Sequence, residues 1–197
     1  MRIEKEEFKT KPLRVHEFLS DVPLHDVWVF HLHGGENRTL ADFRVLLNHE
    51  NAQDFSIFVS LLFRLRATLG CIFGWDEERK DHPAKSYISF LTDAERRRSL
   101  IEPGSTTIGS FRAVYCFSNE ALDEIINATV HSFSLLAMEP STNGYTVYWA
   151  IYVKPLNWFT PVYMALIDPF RHIFVYPAII KKIEGAWAKR YQTSREA

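Results

Sequence analysis

Five polar side chains able to do chemistry lie in one stretch that otherwise reads as strand. They are Asn127, Thr129, His131, Tyr148 and Lys154 in NATVHSFSLLAMEPSTNGYTVYWAIYVKP, residues 127–155. An imidazole with an ordinary pKa of about 6.5 suits general acid/base work. A tyrosine can polarise a carbonyl, and a lysine held among apolar groups wants an acidic partner such as a carboxylate head. Parity sorts these side chains, because successive residues of a strand point to opposite faces. Asn127, Thr129, His131, Phe133 and Leu135 share one face; Ala128, Val130, Ser132, Ser134, Leu136 and Met138 share the other. Asn143-Gly144 is a strong hairpin signal. A connecting loop of two or four residues then places Tyr148, Ala150, Tyr152 and Lys154 beside His131, and Trp149, Ile151 and Val153 beside Leu136; an odd loop swaps the two sets.

The His131 face combines aromatic bodies with imidazole, hydroxyl, amide and ammonium tips, the kind of lining that small-molecule pockets have. The competing and commoner arrangement is a core histidine whose hydrogen bonds are met by neighbours such as Thr129 or Tyr152, since buried polar groups must be paired. Two further groupings carry less. His31-Leu32-His33 puts two imidazoles on one strand face, too few for a metal by themselves; His16 or His25 is a conceivable third ligand, but a plain surface or core pair is the commoner arrangement. The apolar Trp149 face suits a homodimer interface with aromatic anchors. No triad spacing, phosphate-binding loop or nucleophile elbow is present, and Cys116 on a predicted strand reads as core.

The elements that must position these residues follow from periodicity and turn residues. VWVFHL, residues 27–32, reads as a strand ending at Gly34-Gly35, and residues 13–18 as another extended piece. Thr39 with Asp42 opens a short helix. A longer, largely buried helix is expected over residues 52–72. Residues 75–85 read as charged loop, and 86–91 as strand or helix start. Thr92 with Glu95 caps another short helix. FRAVYCFS, residues 111–118, alternates as a strand, whereas 119–126 suits a bend or a helical turn. The tail is helical from Pro161, with Asp168-Pro169 repeating the Thr160-Pro161 start, and Pro177 must kink it. The order is that of an α+β domain with an antiparallel sheet and a long C-terminal helix.

Bulk composition sets the outer limits. The 197 residues fit one domain, taken here as a charged extension over 1–12 and a single domain over 13–197. Of these residues 47% are hydrophobic and 14% aromatic, ample for a core. A net charge of −1 disfavours nucleic-acid binding, and the basic run 96–98 reads as a solvated helix face. Two cysteines make neither a disulfide framework nor a zinc set, so no metal is expected. The first twelve residues have no apolar signal segment, which points to the cytoplasm. Residues 159–180 are long and apolar, but Asp168, Arg171 and His172 at the centre and three prolines argue against a membrane span.

NATVHSF, YWAIYVKP and FTPVYMALIDPFRHIFVYP, with FRLRATLG and SLIEPGS, together resemble a bacterial family of uncharacterised proteins, a domain of unknown function found alone or fused behind an NAD(P)-binding short-chain-dehydrogenase-type domain. The resemblance covers most of the chain after about residue 13. The family is identified with the helix-grip superfamily, the START-like or SRPBCC proteins, in which a curved antiparallel sheet wraps a long C-terminal helix around an apolar cavity. The resemblance implies a small hydrophobic or amphipathic ligand, lipid or polyketide-like. Fold does not choose among the superfamily's activities. The ligand is expected between sheet and C-terminal helix, held by Asn127, Thr129, Phe133, Leu135, Tyr148, Tyr152 and Lys154. The alternative is an enzyme of cyclase, isomerase or dehydratase type in the same cavity, with His131 as general acid/base. No cofactor is expected, since no strand-linked GxGxxG is present.

Overall fold

A computed structural model describes residues 1–49, 85–107, 111–126, 130–156 and 159–191. The helix expected over 52–72 and most of the loop expected over 75–85 lie outside them. Five antiparallel strands form one sheet: β1 (Leu24–His33), β2 (Arg112–Cys116), β3 (Glu120–Ile126), β4 (Val130–Ser141) and β5 (Gly144–Pro155), in the order β1-β5-β4-β3-β2. The helices are α1 (Lys5–Lys9), α2 (Val15–Phe18), α3 (Leu40–His49), α4 (Asp93–Arg98), α5 (Phe159–Phe170) and α6 (Tyr176–Tyr191). A 3-10 turn spans Tyr87–Phe90, and a π-helical turn, Arg171–Val175, joins α5 to α6. The fold is α+β.

The β4–β5 hairpin is the centre of the sheet, and its register is the even one. Ser141 faces Gly144, so Thr142-Asn143 make a two-residue loop, and His131 faces Lys154. Gly144, not Asn143, takes the positive φ, +142°. A Cβ there would lie 2.0 Å from the Leu32 carbonyl oxygen of the neighbouring strand, which only glycine avoids.

Helices cover both faces of the sheet. On the face of Trp28, Phe30, Leu136, Val147 and Ile151 lie α3 and the C-terminal helices. The inward residues of α6, Tyr176, Ile180, Ile183 and Trp187, recur at spacings of four, three and four, one stripe of an α-helix. Trp187 is fully buried, packs edge-on against Phe43 and Tyr145, and donates Nε1 to the His33 carbonyl at 3.1 Å. Its ring fills the space beside Gly35, where a Cβ would come within 2.5 Å. A bidentate Arg44–Asp123 pair, at 2.7 and 2.8 Å, is buried between α3 and β3.

The opposite face, carrying Phe133, Leu135, Tyr148 and Tyr152, is covered by the chain's own beginning. Phe8, Leu13, Val15, Leu19 and Val22 pack there together with Tyr87. The Met1 amino group donates to the Val29 carbonyl and Ile3 N–H to the Val27 carbonyl, so the charged start of the chain is tied to the edge strand.

Several expectations change. Residues 13–18 hold the short helix α2 where an extended piece was expected, and residues 119–126 hold β3, a full strand whose alternation was hidden because both its faces are buried. Asp168-Pro169 does not restart a helix; α5 runs through Pro169. The Thr92–Glu95 capping box is present. The reciprocal Thr39–Asp42 bonds are present too. The arginines of α4 sit on a helix with no buried residue.

Candidate functional site

The residues expected to line a pocket fall on the face covered by the N-terminal segment, not the one under the C-terminal helix. That corrects the expected arrangement: His131 and α6 lie on opposite sides of the sheet. The reason is parity, since α6 docks on the Trp28–Trp149 side. His131 is 1% exposed. Its Nε2 lies 2.9 Å from Glu124 Oε2, and its ring stacks on Phe133 and meets Tyr87 edge-on. The same carboxylate accepts from Tyr87 N–H at 3.0 Å and from the Ser86 hydroxyl. This is the environment of a paired core histidine, with Glu124, and not Tyr152, as its partner among the described residues.

Phe133 and Leu135 are fully buried beside it. Tyr148 is covered by Phe8 and by the Lys11 ammonium, 4.6 Å from the ring centre. Tyr152 is buried with no hydrogen-bond partner for its hydroxyl. Burial raises its pKa, so it stays a neutral phenol. Lys154 points outward to Asp21 at 2.7 Å and the Tyr87 hydroxyl at 2.9 Å, and these bonds raise its pKa. Asn127 and Thr129 lie outside the described residues. Trp149 meets Tyr176 of the same chain edge-on and donates Nε1 to Ser134 at 2.9 Å. His31 is exposed at the strand surface, its Nδ1 3.3 Å from the Thr146 hydroxyl. The Cys116 thiol is buried, which raises its pKa, as expected of a core cysteine.

A different set of side chains converges at the start of β1. Two backbone irregularities build it. The first is a bulge between Leu24 and Asp26, across which the pairing with β5 shifts by one residue. In a regular strand His25 and Asp26 would point to opposite faces; here both reach the C-terminal helical segment. The second is the π-helical turn. Pro177 cannot donate to the carbonyl of Ile173 and would clash with it in an α-helix; the widened turn spans that residue. Widening also aligns Arg171 with Tyr176. Side chains five apart diverge by about 140° on an α-helix, yet the Arg171 guanidinium donates to the Tyr176 hydroxyl.

The geometry is compact. His172 Nε2 lies 2.8 Å from Asp26 Oδ2, and His25 Nε2 lies 2.9 Å from Asp168 Oδ2 and 3.7 Å from Asp26 Oδ2. Arg171 holds Asp168 Oδ1 at 3.0 Å, and Arg2 approaches Asp26 Oδ1 at 3.1 Å. The Asp26 side chain is fully buried, whereas those of His25, Asp168, Arg171 and His172 keep about a fifth to a quarter of their surface. The floor is aromatic: Trp28 and Trp149 each lie 5.1 Å from the Tyr176 ring, and Trp28 lies 6.1 Å from His172. Burial pushes the Tyr176 phenol up to about 12, so it keeps its proton. Asp26 Oδ1 and Trp28 Nε1 are buried without a hydrogen bond. Phe170, Ile173 and Phe174 are exposed on the adjoining turn.

Sequence reasoning used Asp168, Arg171 and His172 only to argue against a membrane span; among the described residues no helix is long and apolar enough to cross one. Their spacing of three and four in an apolar helix was the available signal for a site. The contribution of His25 and Asp26 had none, because it depends on the bulge. Neither curated proteins nor solved structures gave a match. Residues 18–178 match the family described as "Protein of unknown function (DUF2867)", and the chain belongs to that family.

Proposed function

We propose that the protein binds a small amphipathic molecule, lipid or polyketide-like, at the seam between the β1 edge of the sheet and the C-terminal helices. The polar head is received by Arg171, His172 and the Tyr176 phenol; the apolar body lies along Trp28 and Met164 toward Phe170 and Ile173. The observation that carries this reading is the set of charged side chains, partly open to solvent, built on a strand bulge and a π-helical turn over an aromatic floor. Both irregularities recur beside functional sites, and pockets combine such apolar walls with a few convergent polar groups. The buried Trp28 Nε1, with no hydrogen-bond partner, adds support, since buried polar atoms are normally paired. A helix-grip relationship fits the five-stranded antiparallel sheet with a long helix on one face; the ligand lies on the helix side, away from His131.

Native mass spectrometry of freshly purified protein tests this. A copurified organic molecule is expected, retained by His131→Gln and lost from Arg171→Ala. The second arm follows tryptophan fluorescence during titration with a medium-chain fatty acid, with EDTA present. A bare chain mass together with no fluorescence change would end the proposal.

A further inference from the structure

We propose that His25, Asp26, Asp168 and His172 bind one divalent transition-metal ion. Their inward atoms are two imidazole Nε2 and two carboxylate Oδ2, a donor set suited to zinc, iron or manganese. The donor atoms of His25, Asp26 and Asp168 lie within 4.8 Å of one another, and His172 Nε2 adjoins Asp26 Oδ2 at 2.8 Å. A tetrahedral zinc with bonds of about 2.0–2.2 Å places neighbouring donors about 3.3 Å apart. Three of the donor gaps, 2.8, 2.9 and 3.7 Å, straddle that value, and those within the His25–Asp26–Asp168 group extend to within 4.8 Å, so the side chains must draw together around the ion.

The two carboxylates use their oxygens differently. Asp168 gives Oδ1 to Arg171 and Asp26 presents Oδ1 to Arg2, while both Oδ2 atoms face the imidazoles. That division leaves the inner oxygens for a metal and the outer ones for orienting partners. Asp26 gives the independent support. It is a fully buried carboxylate, costly to hold charged, and the Arg2 guanidinium that ion-pairs its outer oxygen at 3.1 Å is half exposed. A divalent ion on the inner oxygens would neutralise both carboxylates. The inference shares residues with the amphipathic-ligand reading but does not require it, because the ion binds in the absence of any organic molecule.

The test is equilibrium dialysis of the EDTA-stripped full chain against Zn2+ with no organic ligand, metal being counted by mass spectrometry. One zinc per chain is expected. His25→Gln and Asp168→Asn, both at partly exposed positions, should each weaken binding at least about ten-fold. Circular dichroism checks that they fold. No stoichiometric uptake, or equal uptake by the parent chain and both ligand variants, would overturn the assignment; the latter would locate the zinc elsewhere, as at His31 and His33.

Discussion

Replacing His131 with leucine should cost stability and leave ligand occupancy unchanged. Among the described residues the imidazole makes one hydrogen bond, 2.9 Å to the Glu124 carboxylate, and stacks on Phe133 with ring centres 4.3 Å apart. A hydrogen bond to a charged group contributes about 1.5–3 kcal/mol, and an aromatic stack about 0.5–1.5 kcal/mol. Leucine restores part of the apolar contact. Glu124 keeps two donors, Tyr87 N–H and the Ser86 hydroxyl, so it is not stranded. The expected loss is therefore about 2–3 kcal/mol, lowering Tm by about 5–10 °C for a chain of this size. Urea unfolding followed by tryptophan fluorescence measures it, with an unchanged m-value showing that the transition keeps its character. A loss below about 0.5 kcal/mol, the range of an ordinary surface substitution, would refute the structural reading. Unchanged stability combined with lost ligand would restore His131 to a pocket.

Asp123→Ala strands a buried guanidinium and should cost about 3–5 kcal/mol, whereas Arg44→Met with Asp123→Leu should recover most of it in the same urea assay. Gly144→Ala forces a side chain against the Leu32 carbonyl at a φ of +142°. A loss of at least about 2 kcal/mol is expected in thermal unfolding, and a neutral result would mean the hairpin shifts freely. Glu120 is buried beneath the Arg14 and Val15 N–H groups, and burial raises its pKa above the usual 4.5. The native state therefore holds that proton longer than the unfolded chain. The contribution of Glu120 is full below pH 4.5 and is lost as pH rises through the raised value. Unfolding free energies of Glu120→Gln against the parent should move in the variant's favour between about pH 4 and 7, and a difference flat in pH would contradict the assignment.

Local chemistry determined much of this protein. Asn143-Gly144 and the parity of the flanking residues set the β4–β5 register, because a one-residue slip would exchange the two buried sets. Thr92 with Glu95 and Thr39 with Asp42 marked helix starts, because a cap is made within one turn of chain. The spacing of Tyr176, Ile180, Ile183 and Trp187, one stripe of an α-helix, is a local signal of the same kind. Only the tertiary structure decided which face of the sheet that helix covers, since both faces carry apolar residues and periodicity cannot choose between two equally buried sides. It also paired His131 with Glu124, which lies on a strand that the sequence left as a bend. The same holds for the converging group at the β1 edge. His25 and Asp26 meet Asp168 and His172, more than 140 residues away, only because a strand bulge and a widened helical turn change phase at the same place. A departure from regular period leaves no periodic signal in the residues that make it.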